Sequence, residues 1–247
     1  MIGKAKRNTR FMILASLPVV VLLALLALKG SNLLGRSSAS LGPDRLVKVQ
    51  KSLPPDRDQP ILGAEFLAWR DQSQTLDQIA VYTSRALPLT GEAPPERVFC
   101  GQVSADFFNV LKSSPLLGRV FVADEYRPAR SHVVVVSRDL WSRRFSGDRA
   151  LLGKSLTLDR QNYTVVGVMP PDLRIPERCE IWLPLALDDE GLRSKNEFFE
   201  LNAIARLKPQ VTLDQGQTEM NTIARDLEPR SARARSEQTI KLLPLHK

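Results

Sequence analysis

From Phe11 to Leu28 the sequence reads FMILASLPVVVLLALLAL, 18 residues without a charge. As a helix rising about 1.5 Å per residue it reaches roughly 27 Å, close to the roughly 30 Å of a bilayer's hydrocarbon core. Pro18 removes one backbone hydrogen bond, which membrane helices tolerate because neighbouring groups satisfy the freed carbonyl. Lys4, Lys6, Arg7 and Arg10 precede the run and only Lys29 and Arg36 follow closely. The positive-inside bias therefore puts the amino terminus in the cytoplasm and the body of the chain outside. A cleaved signal peptide has an apolar core of about 7–15 residues before a small-x-small site. Ala27-Leu28-Lys29 is a poor site of that kind, so an uncleaved anchor is expected. The organisation read this way is a cytoplasmic basic segment 1–10, a single N-terminal transmembrane helix 11–28, a linker 29–42 and a folded, extracytoplasmic body 43–247. No second apolar run of spanning length follows, so the chain is expected to cross the membrane once.

The formal net charge is +8, which raises nucleic acid as a partner. Four of those charges precede the apolar run, and the others are scattered among acids, as with Arg57 between Asp56 and Asp58 or Arg225 beside Asp226. No basic stripe tracks a phosphate backbone. Arg230, Arg233 and Arg235 have no interleaved aromatics for base stacking and read as a solvated loop. No nucleic-acid partner is expected.

The body alternates between two periods. Leu46–Gln50, Ile79–Ser84, Arg97–Val103, His132–Val136, Ser155–Leu158, Tyr163–Val168, Ile181–Leu183 and Phe199–Leu207 carry alternating or β-branched residues and read as strands. Asp159-Arg160-Gln161-Asn162 reads as a four-residue hairpin loop. Leu213, Gln217, Met220, Ala224 and Leu227 line one helical face, with Thr212 as N-cap and Pro229 beyond the end. Ser104 is placed to cap a short helix carrying Phe107, Phe108 and Leu111, and Ser137 one carrying Leu140, Trp141 and Phe145. A fourth helix near Ala64–Gln72 turns Phe66 and Trp69 inward. Strands and helices interleave, so the fold class expected is α+β, a mixed α/β domain.

Parts for covalent chemistry are scarce. His132 opens an apolar strand and His246 adjoins the terminus, which leaves a histidine triad or metal site almost nothing to work with. Asp188, Asp189 and Glu190 read as a solvated turn. Gly147-Asp-Arg-Ala-Leu-Leu-Gly153-Lys154-Ser155 ends like a phosphate-binding loop, yet five residues separate its glycines where four are required, and it leads from a helix into a strand. Gly147 and Gly153 read as turn residues. Trp69, Trp141 and Trp182 sit in apolar-periodic segments and read as core. Cys100 and Cys179 lack ligand spacing; outside the cytoplasm a disulfide between them is permitted. No catalytic, cofactor-binding or metal-binding residue is assigned, and no cofactor is expected.

Several segments together resemble the MacB-like periplasmic core domain of MacB/FtsX-type ABC transporter permeases, in particular the internally duplicated ones. They are Pro43-Asp44-Arg45-Leu46-Val47, Phe66 to Gln72, Pro95 to Val98, Val103 to Leu111, Pro115 to Phe121, Leu140 to Asp148, Leu156 to Pro171, Ile181 to Leu185, and Ala205 to Leu213. Each is weak alone; their order over roughly residues 43–245 is specific. The resemblance implies two subdomains, a porter-like one built from both ends and a second inserted at about 114–196.

It further implies no enzyme, but a domain of the inner membrane's outer side that transmits conformational change or binds a substrate or partner in export. The partners implied are a cytoplasmic ABC ATPase and further permease helices, with a homodimer also open. Two departures stand out. Permeases of this type continue into three more membrane helices, whereas this sequence ends at Lys247, and the apolar run lacks the glycine- and asparagine-containing pattern usual in duplicated permeases. A stand-alone anchored envelope binding or scaffold protein, and after it an anchored envelope enzyme, are the alternatives.

Overall fold

Residues 45–53, 57–91, 93–193, 200–227 and 239–245 are described by a computed structural model. The anchor at 11–28, the linker and the Arg230, Arg233, Arg235 stretch lie outside the described residues. Among the described residues no helix is long and apolar enough to cross a membrane.

The chain alternates strands and helices in the order β1 (Leu46–Leu53), β2 (Arg57–Gln59), α1 (Gly63–Gln72), β3 (Leu76–Thr90), β4 (Glu96–Val103), α2 (Phe107–Leu111), β5 (Leu117–Gly118), β6 (Val133–Ser137), α3 (Arg138–Phe145), β7 (Ser155–Leu158), β8 (Gln161–Met169), β9 (Ile181–Pro184), α4 (Asp189–Arg193), β10 (Asn202–Leu207), α5 (Leu213–Leu227) and β11 (Thr239–Pro244). The strands join one mixed sheet ordered β11-β1-β10-β3-β4-β9-β6-β8-β5, with β2 beside β1 and β7 bridging β3 and β8. The mixed α/β class read from the sequence is the class found.

Two architectures share that sheet. At one end, β11, β1, β10 and the first half of β3 form an antiparallel ladder. One face of it, carrying Val47, Val49, Ile79, Val81, Ala203, Ala205, Ile240 and Leu242, packs on Phe66, Leu67 and Trp69 of α1 and Met220, Ile223 and Ala224 of α5. Alternate residues serve the other face, where Leu46, Ala80 and Ile204 meet Phe107, Phe108 and Leu111 of α2.

At the other end the sheet closes on itself. β3 pairs with β4, β4 with β9, β9 with β6, β6 with β8, β8 with β7, and β7 returns to β3 through Leu89 opposite Leu158. The result is a six-stranded barrel, which abolishes edges. Every second residue points inward: Leu87 and Leu89, Val98 and Cys100, Val134 and Val136, Leu156 and Leu158, Ile181 and Leu183 fill it. Leu140 of α3 and Leu151 plug this core. β3, at 15 residues, belongs to both architectures.

Local chemistry sets several boundaries. Thr212 Oγ1 accepts from Gln215 N at 3.2 Å while Gln215 Oε1 accepts from Thr212 N at 2.9 Å, a capping box at the start of α5. Ser137 caps α3 as expected, accepting from Leu140 N at 3.1 Å. Ser104 does not cap α2: its hydroxyl accepts instead from Val81 N at 3.0 Å, tying the chain to β3. The hairpin loop between β7 and β8 is two residues, not four, because Gln161 and Asn162 continue the ladder opposite Leu158 and Thr157. Asp159 and Arg160 turn alone at φ 47° and 66°, the left-handed pair of a type I′ turn. Leu227, placed by periodicity on the inner face of α5, is 40% exposed at the helix's last position.

Candidate functional site

The feature that most constrains use of this domain is where its chain enters and leaves. Val47 near the start of β1 lies opposite Pro244 at the end of β11, and Leu245 N donates to Leu46 O at 2.8 Å. The two ends of the described domain therefore sit side by side, although nearly the whole sequence separates them. Six consecutive register pairs, Val47–Pro244 to Ser52–Thr239, hold them.

Beside these strands is a groove of about 260 Å³. Lys48, Tyr82, Leu111 and Leu245 line one wall, and Asp172 to Ile175 with Glu177 line the other. The loop supplying that second wall is held by Trp182 Nε1, which donates to Ile175 O at 2.9 Å. Burial pushes the Tyr82 phenol up, so the groove presents a neutral hydroxyl among Lys48, Arg174, Asp172 and Glu177. The lining thus mixes charges of both signs with apolar side chains.

A second cavity, about 590 Å³, opens at the barrel mouth between Thr90, Gly91 and Ala93, the turn carrying Ser146 and Asp148, and β7. Its wall is fixed by Arg144, which donates to Glu96 Oε1 at 2.9 Å, Pro94 O at 2.9 Å and Ala93 O at 3.2 Å. Arg143 donates to Glu96 and, at 2.7 Å, to Glu180 Oε1. Hydrogen bonds from Arg143, then its charge and Arg144, hold the Glu96 carboxyl below the usual range. These arginines strap α3 to β4 and are engaged in doing so.

The residues weighed for chemistry are placed apart. His132 is exposed and stacks on Tyr163, ring centroids 5.4 Å apart. Asp189 receives two hydrogen bonds from Arg70, at 3.1 and 2.9 Å, which hold its carboxyl low, and Asp188 Oδ1 accepts from Gly191 N at 2.8 Å. Among the described residues no three His, Cys, Asp or Glu side chains converge as metal ligands. Gly147 and Gly153 are turn residues at φ 68° and 80°, and the segment between them leads into β7. Trp69 and Trp182 are buried in the core. Trp141 is half-buried, and its Nε1 donates to Asp148 O at 2.8 Å. Cys100 and Cys179 are free thiols, Cys100 inside the barrel and Cys179 in the core outside it.

Sequence reasoning missed β11, and with it the pairing of the ends. The pattern Thr239-Ile-Lys-Leu-Leu-Pro244 alternates over its first four residues, a signal diluted by the arginine-rich stretch before it and by Pro244.

The fold is shared by solved domains of three other proteins. The periplasmic region of MacB from Actinobacillus actinomycetemcomitans superposes with a TM-score of 0.60 at 12% identity, covering 79% of this chain and 87% of that one. A domain of a putative permease from Porphyromonas gingivalis gives 0.62 at 16%, over 82% and 90%. The extracellular domain of the noncanonic ABC-type transporter YknZ from Gram-positive bacteria gives 0.60 at 11%, over 80% and 99%. No curated protein matches the sequence. The architecture is thus that of the periplasmic or extracellular domains of transport permeases. The chain belongs to the MacB-like periplasmic core domain family, whose sequence model matches residues 18–223.

Proposed function

We propose that this chain is the membrane-anchored extracytoplasmic part of an ABC permease assembly, and that it carries motion between the membrane and a substrate or envelope partner without covalent chemistry of its own. The pairing of β1 with β11 carries this reading. A displacement of one chain end against the other acts along an antiparallel ladder whose hydrogen bonds lie perpendicular to the strands and share the load. From β1 the displacement passes to β10 and then to β3, and the 15 residues of β3 take it into the barrel.

In this reading residues 11–28 cross the membrane once, with the amino terminus in the cytoplasm and the domain outside. The domain divides into a porter-like part from both ends and a part inserted at about 114–196. The strand order supports that division, since β1, β10 and β11 come from the ends and β5 to β9 from the middle. The partners are a cytoplasmic ABC ATPase and further permease helices, with two copies of this chain able to act together. The groove lined by Lys48 and Arg174 favours a second reading, a stand-alone envelope binding or scaffold protein.

Gentle detergent extraction of native membranes, pull-down of the tagged chain and mass spectrometry of its companions separate the two. Recovery of an ABC ATPase with a multi-helix permease is the expected result. Recovery of neither, with the chain still folded and anchored, overturns the transport reading.

A further inference from the structure

The last strand of an open sheet presents backbone groups that a strand from another molecule can pair with. In the ladder between β1 and β11, successive residues alternate between facing the partner strand and facing away. Leu245 N donates to Leu46 O, so Lys241, Leu243 and Leu245 face β1 with their backbone groups, and Ile240, Leu242 and Pro244 face outward.

Helix α5 runs along that outer side. Asn221 Oδ1 accepts from Ile240 N at 2.8 Å, and Gln217 Oε1 accepts from Leu242 N at 2.8 Å. Both amide nitrogens donate to Ile240 O, that of Asn221 at 3.3 Å and that of Gln217 in a shorter contact. Pro244 has no N–H to offer. Every outward amide between Ile240 and Pro244 is thus either bonded to a side chain of α5 or absent. A primary amide carries the same donor and acceptor as a peptide group, and positions i and i+4 share one helix face, so Gln217 and Asn221 stand in for a stretch of neighbouring strand. The close approach this needs is made at Gly216, where a Cβ would fall 2.7 Å from Leu207 Cδ2 and 3.0 Å from Leu242 Cδ1. Gly216 stands in the first turn of α5, where the absence of a Cβ leaves those leucines their room.

We propose that Gln217 and Asn221 lock the outer edge of β11 and keep it from pairing with the β11 edge of a second copy of this chain. The proposal does not depend on the transport reading. It is tested on the full chain in detergent micelles with the double variant Gln217→Ala/Asn221→Ala, which adds no large apolar group. At a dilution where the variant is single, hydrogen exchange at the Ile240 and Leu242 amides is expected to accelerate at least tenfold; with rising concentration the protein mass per particle, by light scattering, is expected to double relative to the unchanged chain and the paired amides to slow again. Arg206→Met, on the opposite face of the sheet, controls for general destabilisation and is expected to leave the mass unaltered. Amides exposed at dilution with a mass that stays unchanged at every concentration, amides still protected at dilution, or an equal increase in mass in the Arg206 control would each overturn the proposal. Should the double variant not fold, Gln217→Ala alone frees the Leu242 amide and is read the same way.

Discussion

The guanidinium of Arg206 donates to the Val110 carbonyl twice, from Nε at 3.0 Å and from Nη2 at 2.8 Å. Val110 lies in the last turn of α2, whose final carbonyls have no helical partner; those of Phe108 and Asn109 are met by Ser113 N and Lys112 N. Arg206, only 5% exposed, therefore fastens the short aromatic helix to the centre of the end sheet. Arg206→Met is expected to leave that carbonyl unpaired and cost about 1–3 kcal/mol, with Arg206→Lys in between. Urea unfolding of the two variants checks the order.

Glu219 clamps the loop between α1 and β3 onto α5. Its carboxylate accepts from Gln74 N at 2.7 Å and Thr75 N at 3.0 Å, and from the hydroxyls of Ser73 and Thr75. Burial raises its pKa, but these donors outweigh it and the net shift is downward. A depressed folded pKa means stability present above the unfolded value, about 4.3, and lost as pH falls through the folded one. Glu219→Gln is expected to destabilise at pH 7 by about 1–2 kcal/mol and to flatten the fall in stability between about pH 5 and pH 3. Thermal unfolding across pH reads both.

Cys100 and Cys179 remain thiols in the folded chain. Burial pushes the Cys100 thiol up to about 12 and Cys179 upward as well, so neither forms the reactive thiolate near neutral pH. A thiol reagent at pH 8 is expected to label the native chain slowly and to find two thiols after denaturation. None after denaturation would show a bridge between them.

The adjacency of the chain ends is open to a direct covalent check. Val49 and Leu242 are register partners, and the outward-facing Leu242 makes theirs the closer, non-hydrogen-bonded kind of pair. Val49→Cys/Leu242→Cys is expected to form an intramolecular disulfide under mild oxidation, seen as faster migration on a non-reducing gel, while Val49→Cys/Leu89→Cys forms none.

In the β7–β8 turn, Asp159 and Arg160 hold a conformation disfavoured for side chains with Cβ. Asp159→Asn/Arg160→Gly is expected to stabilise the chain by about 1 kcal/mol, measured as a higher urea midpoint at unchanged slope.

The periodic elements were legible in the sequence because burial imposes a period on them. Met220 and Ala224 of α5, Phe66 and Trp69 of α1, and Val134, Val135 and Val136 of β6 are buried where their spacing places them. What stayed hidden depended on partners far along the chain. Nothing in Leu158 or Leu89 marks them as the seam that closes the barrel, and nothing in Val47 points to Pro244. Gln217 was placed on an apolar stripe by its spacing; its use of backbone groups in β11 becomes visible only once that strand is in place. Ser104 misled for a related reason, since a hydroxyl before a short helix has the pattern of a cap whether it bonds to the helix or to a neighbouring strand.

The position of β1 also bears on how the domain assembles. Apart from the three-residue β2, its neighbours β10 and β11 come from the last quarter of the sequence, whereas all six barrel strands lie between Leu76 and Pro184. The barrel has everything it needs before Asn202 has been made, while β1, paired only with β2 through Lys51 to Leu53, must wait for its other two partners. Such long-range pairing is slow and leaves intermediates prone to aggregate. The first strand to emerge is thus the last to be housed, and a truncation between β9 and β10 leaves a closed barrel carrying a largely unpaired, adhesive strand.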